Sequence, residues 1–187
     1  MNAHGIIARD SRVTPVAASG ALYRAARILL FILFTAAGAQ LAVRLSFTPV
    51  PVTVQTLFVV LAGIALGPRD GFYAMLSYLA IGAAGAPVFA GFGFGPAALL
   101  GVTGGYLIAF PAAALVSGVL CDRLGGGRAA VLCGTVSGLA IILCSGTLYL
   151  ALLTGLDFAR AAGLGLVPFL GGEALKAAIA VALSGRC

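Results

Sequence analysis

The sequence predicts an all-α membrane protein, a bundle of six transmembrane helices with both termini in the cytoplasm. Three observations carry this prediction. Hydrophobic residues make up 61% of the 187 residues and charged residues only 9%, whereas soluble domains carry about 25% charged residues. The mean hydropathy is +1.15. The 51 residues from 71 to 121 contain no Asp, Glu, Lys, Arg or His, which is room for two spans and a loop at about 20 residues per span.

The apolar runs divide the chain into six predicted spans, at residues 22–43, 52–66, 71–89, 97–121, 129–153 and 164–183. Together they form a membrane domain over residues 22–187, and we expect the preceding residues 1–21 to be a disordered cytoplasmic tail. In the first run, Ala37-Gly38-Ala39 resembles the cleavage site of a signal peptide. The apolar stretch continues beyond that site to Val43, which favours a membrane span.

The arginines predict the orientation of these spans. With six spans, eight arginines fall on one side of the membrane, and only Arg44 and Arg160 fall on the other. Basic loops stay in the cytoplasm, which places both termini inside and the connections 44–51, 85–96 and 155–163 outside. The 11 basic residues are spread too thinly for a phosphate-binding face. We therefore expect the lipid bilayer as the partner, and no nucleic acid.

The sequence contains no recognisable metal or nucleotide site. Its cysteines, Cys121, Cys133, Cys144 and Cys187, show no Cys-x-x-Cys spacing, and His4 is the only histidine. Buried free cysteines usually act as small apolar residues. No phosphate-binding Gly-x-x-x-x-Gly-Lys-Ser/Thr loop is present. We expect no cofactor in this chain.

Two charged residues lie inside the last predicted span. Glu173 is the only glutamate of the chain and Lys176 the only lysine. A charge inside a membrane span is costly and usually marks a path for a substrate or ion. The spacing of three residues places both side chains on one helical face. A structural ion pair is the alternative, but such a pair rarely stabilises more than apolar residues would, so we favour a binding site.

A loop on the outer side is predicted to cover this pair. The connection 85–96 reads GAPVFAGFGFGP, in which Phe89, Phe92 and Phe94 would form a mobile aromatic flap over an apolar ligand. An interfacial aromatic belt is the alternative. The fourth predicted span then begins with residues that offer hydroxyl groups or close approach to a ligand: Thr103, Gly104 and Tyr106.

Four motifs in this order resemble those of the BioY family. They are VPVTVQTL (50–57), GAAGAPVFAG (82–91), GVTGGYLIAF (101–110) and FLGGEALK (169–176). The resemblance covers nearly the whole chain, from about residue 29 to residue 183. One departure falls in the last motif, where this chain has Gly-Gly-Glu and the family commonly has Pro-Gly-Asp.

The resemblance implies a function for the charged pair. Members of the BioY family are the biotin-specific substrate-binding (S) components of energy-coupling factor (ECF) transporters in the cytoplasmic membrane of prokaryotes. By resemblance, Glu173 would accept from the ureido N–H groups of biotin, and Lys176 would donate to its carbonyl or carboxylate. The partners implied are a coupling membrane protein and a pair of ABC-type ATPases, which alone would use ATP.

Other functions stay open at this point. The site could serve another small vitamin, or Glu173 and Lys176 could act as acid and base in an intramembrane enzyme. The enzyme would need a positioned nucleophile or metal ligands, which the sequence does not indicate. A passive channel would need rings of pore-lining charge. The sequence leaves open whether the chain forms a homo-oligomer.

Overall fold

The computed structural model describes residues 15–184, and 79% of them are helical. The all-α prediction is therefore confirmed. In chain order the elements are α1 (Pro15–Gln40), β1 (Ala42–Val43), β2 (Val52–Thr53), α2 (Gln55–Leu66), α3 (Pro68–Ala83), α4 (Gly95–Leu100), α5 (Gly104–Ile108), α6 (Phe110–Arg123), α7 (Arg128–Thr154), α8 (Phe158–Gly165) and α9 (Leu170–Ser184). The two short strands pair antiparallel, with Ala42 opposite Thr53 and Val43 opposite Val52.

Four helical segments are long and apolar enough to cross a membrane. Among the described residues these are Gly20–Gln40, Gly104–Arg123, Arg128–Thr154 and Phe158–Leu183. The apolar helix α2 has only 12 residues, a length of about 18 Å against a hydrocarbon core of about 30 Å. The chain is thus a multi-pass membrane protein, while the count of six spans stays a prediction.

Two predicted boundaries near the first and third spans are wrong. Helix α1 begins at Pro15, so the predicted tail ends too late; its residues 1–14, including His4, lie outside the described residues. Helix α3 ends at Ala83 and does not continue to residue 89. The reason is Gly85, whose φ of +112° is a conformation that glycine adopts far more readily than other residues.

The fourth predicted span, 97–121, is not one continuous helix. Gly101 has extended backbone angles, φ −80° and ψ −178°, and separates α4 from α5. Pro111 lies in the first turn of α6, where its missing N–H group is tolerated. The sequence does not reveal this break, because residues 97–121 form one apolar run and membrane helices commonly contain Gly and Pro.

The sixth predicted span, 164–183, is also divided. Helix α8 ends at Gly165, a 3₁₀ turn with Pro168 follows over Val167–Phe169, and α9 begins at Leu170. Glu173 therefore lies in the first turn of α9, where a negative charge interacts favourably with the helix dipole.

Helix α6 lies at the centre of the bundle and packs against α2, α3 and α7. Close approach to α2 depends on Gly63, because a Cβ there would overlap the carbonyl group of Ala114. The outer faces of the helices carry large exposed apolar side chains, such as Leu29 and Leu33 on α1 and Leu148 and Leu152 on α7. Exposed apolar surface of this extent fits contact with lipid.

Two arginines of α1 contact the turn between α2 and α3. Arg24 forms a two-pronged ion pair with Asp70, with 2.7 Å between Nε and Oδ2, and Arg27 donates to the carbonyl oxygen of Ala65. The hydrogen bond from Arg24 lowers the pKa of the Asp70 carboxyl group from its usual 3.8. The two arginines thus mark a basic end of the bundle, at the C-terminal end of α2. Gln55, the first residue of α2, lies at the opposite end of that helix.

Candidate ligand-binding site

A cavity of about 440 Å³ opens between the N-terminal ends of α2 and α9. Its volume falls within the range of about 300–1,000 Å³ typical of small-molecule sites. Its walls come from residues 44–56, the loop that follows Val88, the α5–α6 region, and the facing sides of α7 and α9. Segments distant in sequence thus meet around one space.

The polar end of the cavity is a triad of half-buried Thr56 with buried Glu173 and Lys176. The Nζ atom of Lys176 lies 2.7 Å from Oε1 of Glu173 and 2.8 Å from Oγ1 of Thr56. The Thr56 hydroxyl lies 3.2 Å from both carboxylate oxygens. Glu173 and Lys176 are each only 7% exposed, so the charges are held almost out of solvent and stabilised by one another.

This triad has unused hydrogen-bonding capacity. An ammonium group has three protons, and within residues 15–184 Lys176 gives them to two acceptors. The carboxylate of Glu173 has about four acceptor positions. It accepts one hydrogen bond from Lys176, and its two oxygens share the single proton of the Thr56 hydroxyl. The triad can therefore both donate to and accept from a ligand.

The middle of the cavity is walled by aromatic and aliphatic side chains. Phe89 is 2% exposed and meets the ring of Tyr78 edge to face, with 5.5 Å between ring centroids. On another wall the rings of Tyr106 and Phe169 lie 6.3 Å apart. The Tyr106 hydroxyl is occupied, because it donates to the carbonyl oxygen of Gly165 over 2.7 Å.

A second polar group in the wall is the amide of Gln55. Its Nε2 atom donates to the Tyr78 hydroxyl over 2.8 Å, and that hydroxyl donates to the carbonyl oxygen of Val88 over 2.8 Å. Within the described part of the chain the amide oxygen of Gln55 receives no hydrogen bond. Gln55 lines the cavity and can accept from a ligand there.

The cavity mouth carries a cation. Arg44 is exposed and lines the opening, and it has no ion pair with any acid among residues 15–184. Thr48 fixes the same connection by donating to the carbonyl oxygen of Leu164 over 2.7 Å. The site thus runs from an exposed positive charge, past apolar walls, to the polar triad.

Comparison with known proteins decides the family. The family model described as the BioY family matches residues 11–187. The chain belongs to the BioY family.

Two relatives and one solved structure illustrate this similarity. The "Probable biotin transporter BioY" of Pyrococcus horikoshii is 45% identical over 85% of this chain and 92% of the relative. The "Biotin transporter BioY" of Thermotoga maritima is 36% identical over 84% and 90%. The crystal structure of "the S-component for biotin from an ECF-type ABC transporter" has a TM-score of 0.83 and 24% identity, over 90% of this chain and 92% of that one. The fold is therefore that of this solved S component.

In this BioY chain the cavity brings together five of the seven residues that the sequence predicted for the site. These are Phe89, Thr103, Tyr106, Glu173 and Lys176. Whether they bind a ligand stays a prediction.

The other two predicted residues do not line the cavity. Gly104 is buried in helix packing, where a Cβ would overlap the carbonyl group of Leu99. Phe92 is 66% exposed and is not part of the cavity lining. Of the expected aromatic flap, Phe89 alone lines the cavity, where it lies between α3 and the cavity space.

Sequence reasoning missed several polar residues of the cavity, among them Gln55, Thr56 and Arg44. Gln55 and Thr56 are the two polar residues that begin α2, and they belong to the VPVTVQTL motif. Arg44 is one of only two basic residues predicted on the outer side. The polar or basic character of these residues was visible in the sequence, but only the fold shows that Arg44, Gln55 and Thr56 line the same cavity as Glu173.

The small residues of α1, at Thr35, Gly38 and Ala39, are another candidate surface. Such residues at four-residue spacing could offer a partner a smooth face. Thr35 and Ala39 are fully buried, and a Cβ on Gly38 would press on the ring of Phe58. They serve packing within the bundle.

Proposed function

We propose that this chain binds biotin in the cavity and serves as the substrate-binding component of an ECF-type transporter for biotin uptake. The observation that carries the proposal is the triad of Thr56 with the buried pair Glu173 and Lys176 in the cavity lining, in a chain of the BioY family. The names of its relatives support the choice of ligand.

The chemistry of biotin matches the order of groups along the cavity. Its ureido ring has two N–H donors and one carbonyl acceptor, which suit Glu173 and Lys176. Its thioether ring and aliphatic chain suit the walls around Phe89 and Tyr106. Its carboxylate suits the exposed guanidinium of Arg44. Polar groups left unpaired without the correct ligand would make recognition selective.

Topology supports entry from outside. The cavity lies at the end of α2 that begins with Gln55, and the arginine contacts to Asp70 and Ala65 lie at the opposite end. Because basic residues stay in the cytoplasm, we infer that the cavity opens outward, that both termini are cytoplasmic and that the bundle crosses the membrane six times. We place the protein in the cytoplasmic membrane of a prokaryote.

Transport energy would come from partners. We propose a coupling membrane protein and a pair of ABC-type ATPases as those partners, with ATP used only there and no cofactor bound by this chain. We propose no catalytic role for Glu173 and Lys176, because their contacts are with each other and with Thr56.

Equilibrium binding of labelled biotin to the purified protein in detergent tests the proposal. We expect saturable binding of one biotin per chain. Unlabelled biotin should compete fully, whereas biotin methyl ester should compete more weakly because it lacks the charge that meets Arg44. In an Arg44→Gln variant, biotin and its ester should compete equally. Absence of saturable binding, or competition by vitamins without a ureido ring, would contradict the proposal.

A further inference from the structure

The side chain of Gln40, the last residue of α1, bridges two points of the loop beside the cavity. We call residues 88–94 the cavity loop. The Nε2 atom of Gln40 donates to the carbonyl oxygen of Phe89 over 3.1 Å, and its Oε1 atom accepts from the backbone N–H of Phe92 over 3.0 Å. A carbonyl can only accept and an N–H can only donate. Only one orientation of the amide satisfies both bonds.

The cavity loop needs such external support. Phe92 has a φ of +58°, a left-handed conformation that costs a residue with a side chain roughly 1–2 kcal/mol. Inside the loop, a backbone bond of 3.0 Å from the N–H of Phe89 to the carbonyl oxygen of Gly93 holds the ends together. The two bonds from Gln40 fall on Phe89 and on the strained residue Phe92 itself, and they hold this turn against α1.

The loop in turn positions the aromatic wall of the cavity. The Phe89 ring fills the space above Gly82, where a Cβ would overlap it, and it lines the ligand cavity. The Tyr78 hydroxyl bonds to Val88 at the start of the loop. Gln40 and Tyr78 therefore fix the two sides of the segment that carries Phe89.

The C-terminal turns of helix α1 give the cavity loop a firm anchor. Thr35 and Ala39 are fully buried, and Gly38 packs so closely on Phe58 that a Cβ there would press on its ring. The end of α1 that carries Gln40 is therefore held in the bundle, and the Gln40 amide holds the cavity loop to that end.

We propose that Gln40 is a positioning residue that ties the cavity loop to the packed end of α1 and so keeps the loop closed over the cavity. The inference rests on the proposed function, since it assigns the loop to retention of the ligand. Loss of the two hydrogen bonds of Gln40 should raise the dissociation rate of biotin more than it changes the association rate, because the loop closes after the ligand has entered.

The test compares Gln40→Met, which keeps the length but loses both bonds, with Gln40→Glu, which keeps only the acceptor for the Phe92 N–H. Leu41→Ala is the matched control, because Leu41 is the exposed neighbour outside the cavity lining. We expect the dissociation rate of biotin to rise about tenfold in Gln40→Met, equivalent to about 1.4 kcal/mol. Its association rate should change less than twofold, and Leu41→Ala should match the wild type.

Hydrogen exchange separates this role from a general loss of stability. In the protein without biotin, amide exchange should accelerate at Phe92 in Gln40→Met and stay slow there in Gln40→Glu, with α6 and α7 unchanged in both. Equal acceleration throughout the bundle, or an unchanged dissociation rate in Gln40→Met, would overturn the proposal. A wild-type protein that fails to bind biotin would contradict the proposed function, while faster exchange confined to the cavity loop would still support the tie.

Discussion

Replacing Lys176 by Ala is the perturbation that bears most strongly on the triad of Thr56, Glu173 and Lys176. It removes the donor that lies 2.7 Å from Glu173 and 2.8 Å from Thr56. Among the described residues, the Glu173 side chain, 8% exposed, then keeps only the Thr56 hydroxyl as a donor. The variant loses a ligand contact and gains an uncompensated buried charge.

The expected size of the effect follows from this burial. Truncating one partner of a buried charge pair in a binding site costs about 2–5 kcal/mol, so the Kd for biotin should rise by about 30-fold to several thousand-fold. Breaking the pair should also lower the free energy of unfolding by about 3–5 kcal/mol, unless Glu173 takes up a proton. Glu173→Gln should be milder, roughly tenfold in Kd, because the amide retains an acceptor.

A double variant separates binding from folding. Glu173→Gln combined with Lys176→Met removes both charges, and the stability should recover because apolar or neutral replacements of a buried pair are often tolerated. Biotin binding should stay lost. Arg160→Ala is the control, since Arg160 pairs with Asp157 on the exposed surface. Equilibrium binding and thermal unfolding of each purified variant give the two quantities.

Unchanged biotin affinity in Lys176→Ala protein would refute the assignment of the site. A double variant that regains both stability and biotin binding would also refute the assignment of the site, because Glu173 and Lys176 would then only stabilise the fold.

Three further predictions concern the wall, the basic end and the topology. Phe89→Ala should lower the free energy of unfolding by about 3–5 kcal/mol, because it empties a tightly packed position, and a loss below 1 kcal/mol in thermal unfolding would contradict the packing described. Because the pKa of Asp70 is lowered in the folded protein, its pair with Arg24 should stabilise the fold above the usual pKa of 3.8 and lose that effect as the pH falls through the lowered value. Arg24→Ala should therefore unfold at a lower temperature than the wild type at pH 6, a difference that should vanish at the acidic end of the titration; a pH-independent difference would count against the ion pair. In a background without native cysteines, Asp157→Cys should react with an impermeant thiol reagent in intact cells and Arg123→Cys should not; the reverse pattern would invert the topology.

The sequence predicted those parts of the fold that depend on local signals. Helix α7 agrees with its predicted span within one residue at each end, because an uninterrupted apolar run lies between Arg128 and Gly155. Glu173 and Lys176 were found because charged residues are rare and costly in a membrane span. Such signals need no knowledge of neighbouring helices.

Other features depend on contacts that no local pattern carries. The hydrogen bond between Lys176 and Thr56 joins residues 120 positions apart. The break at Gly101 could not be predicted, because glycine occurs both inside membrane helices and between them. Phe89 and Phe92 are alike in the sequence, yet Phe89 is buried against Gly82 and Tyr78 of α3 while Phe92 is exposed.

The most direct test of the central claim is an experimental structure of the protein with biotin bound. We expect the ureido ring at the buried pair, with its polar atoms about 2.7–3.2 Å from Glu173 and Lys176, and the carboxylate toward Arg44. A biotin molecule bound outside the cavity, or bound with its carboxylate on Lys176 and its ureido ring at the mouth, would contradict the account.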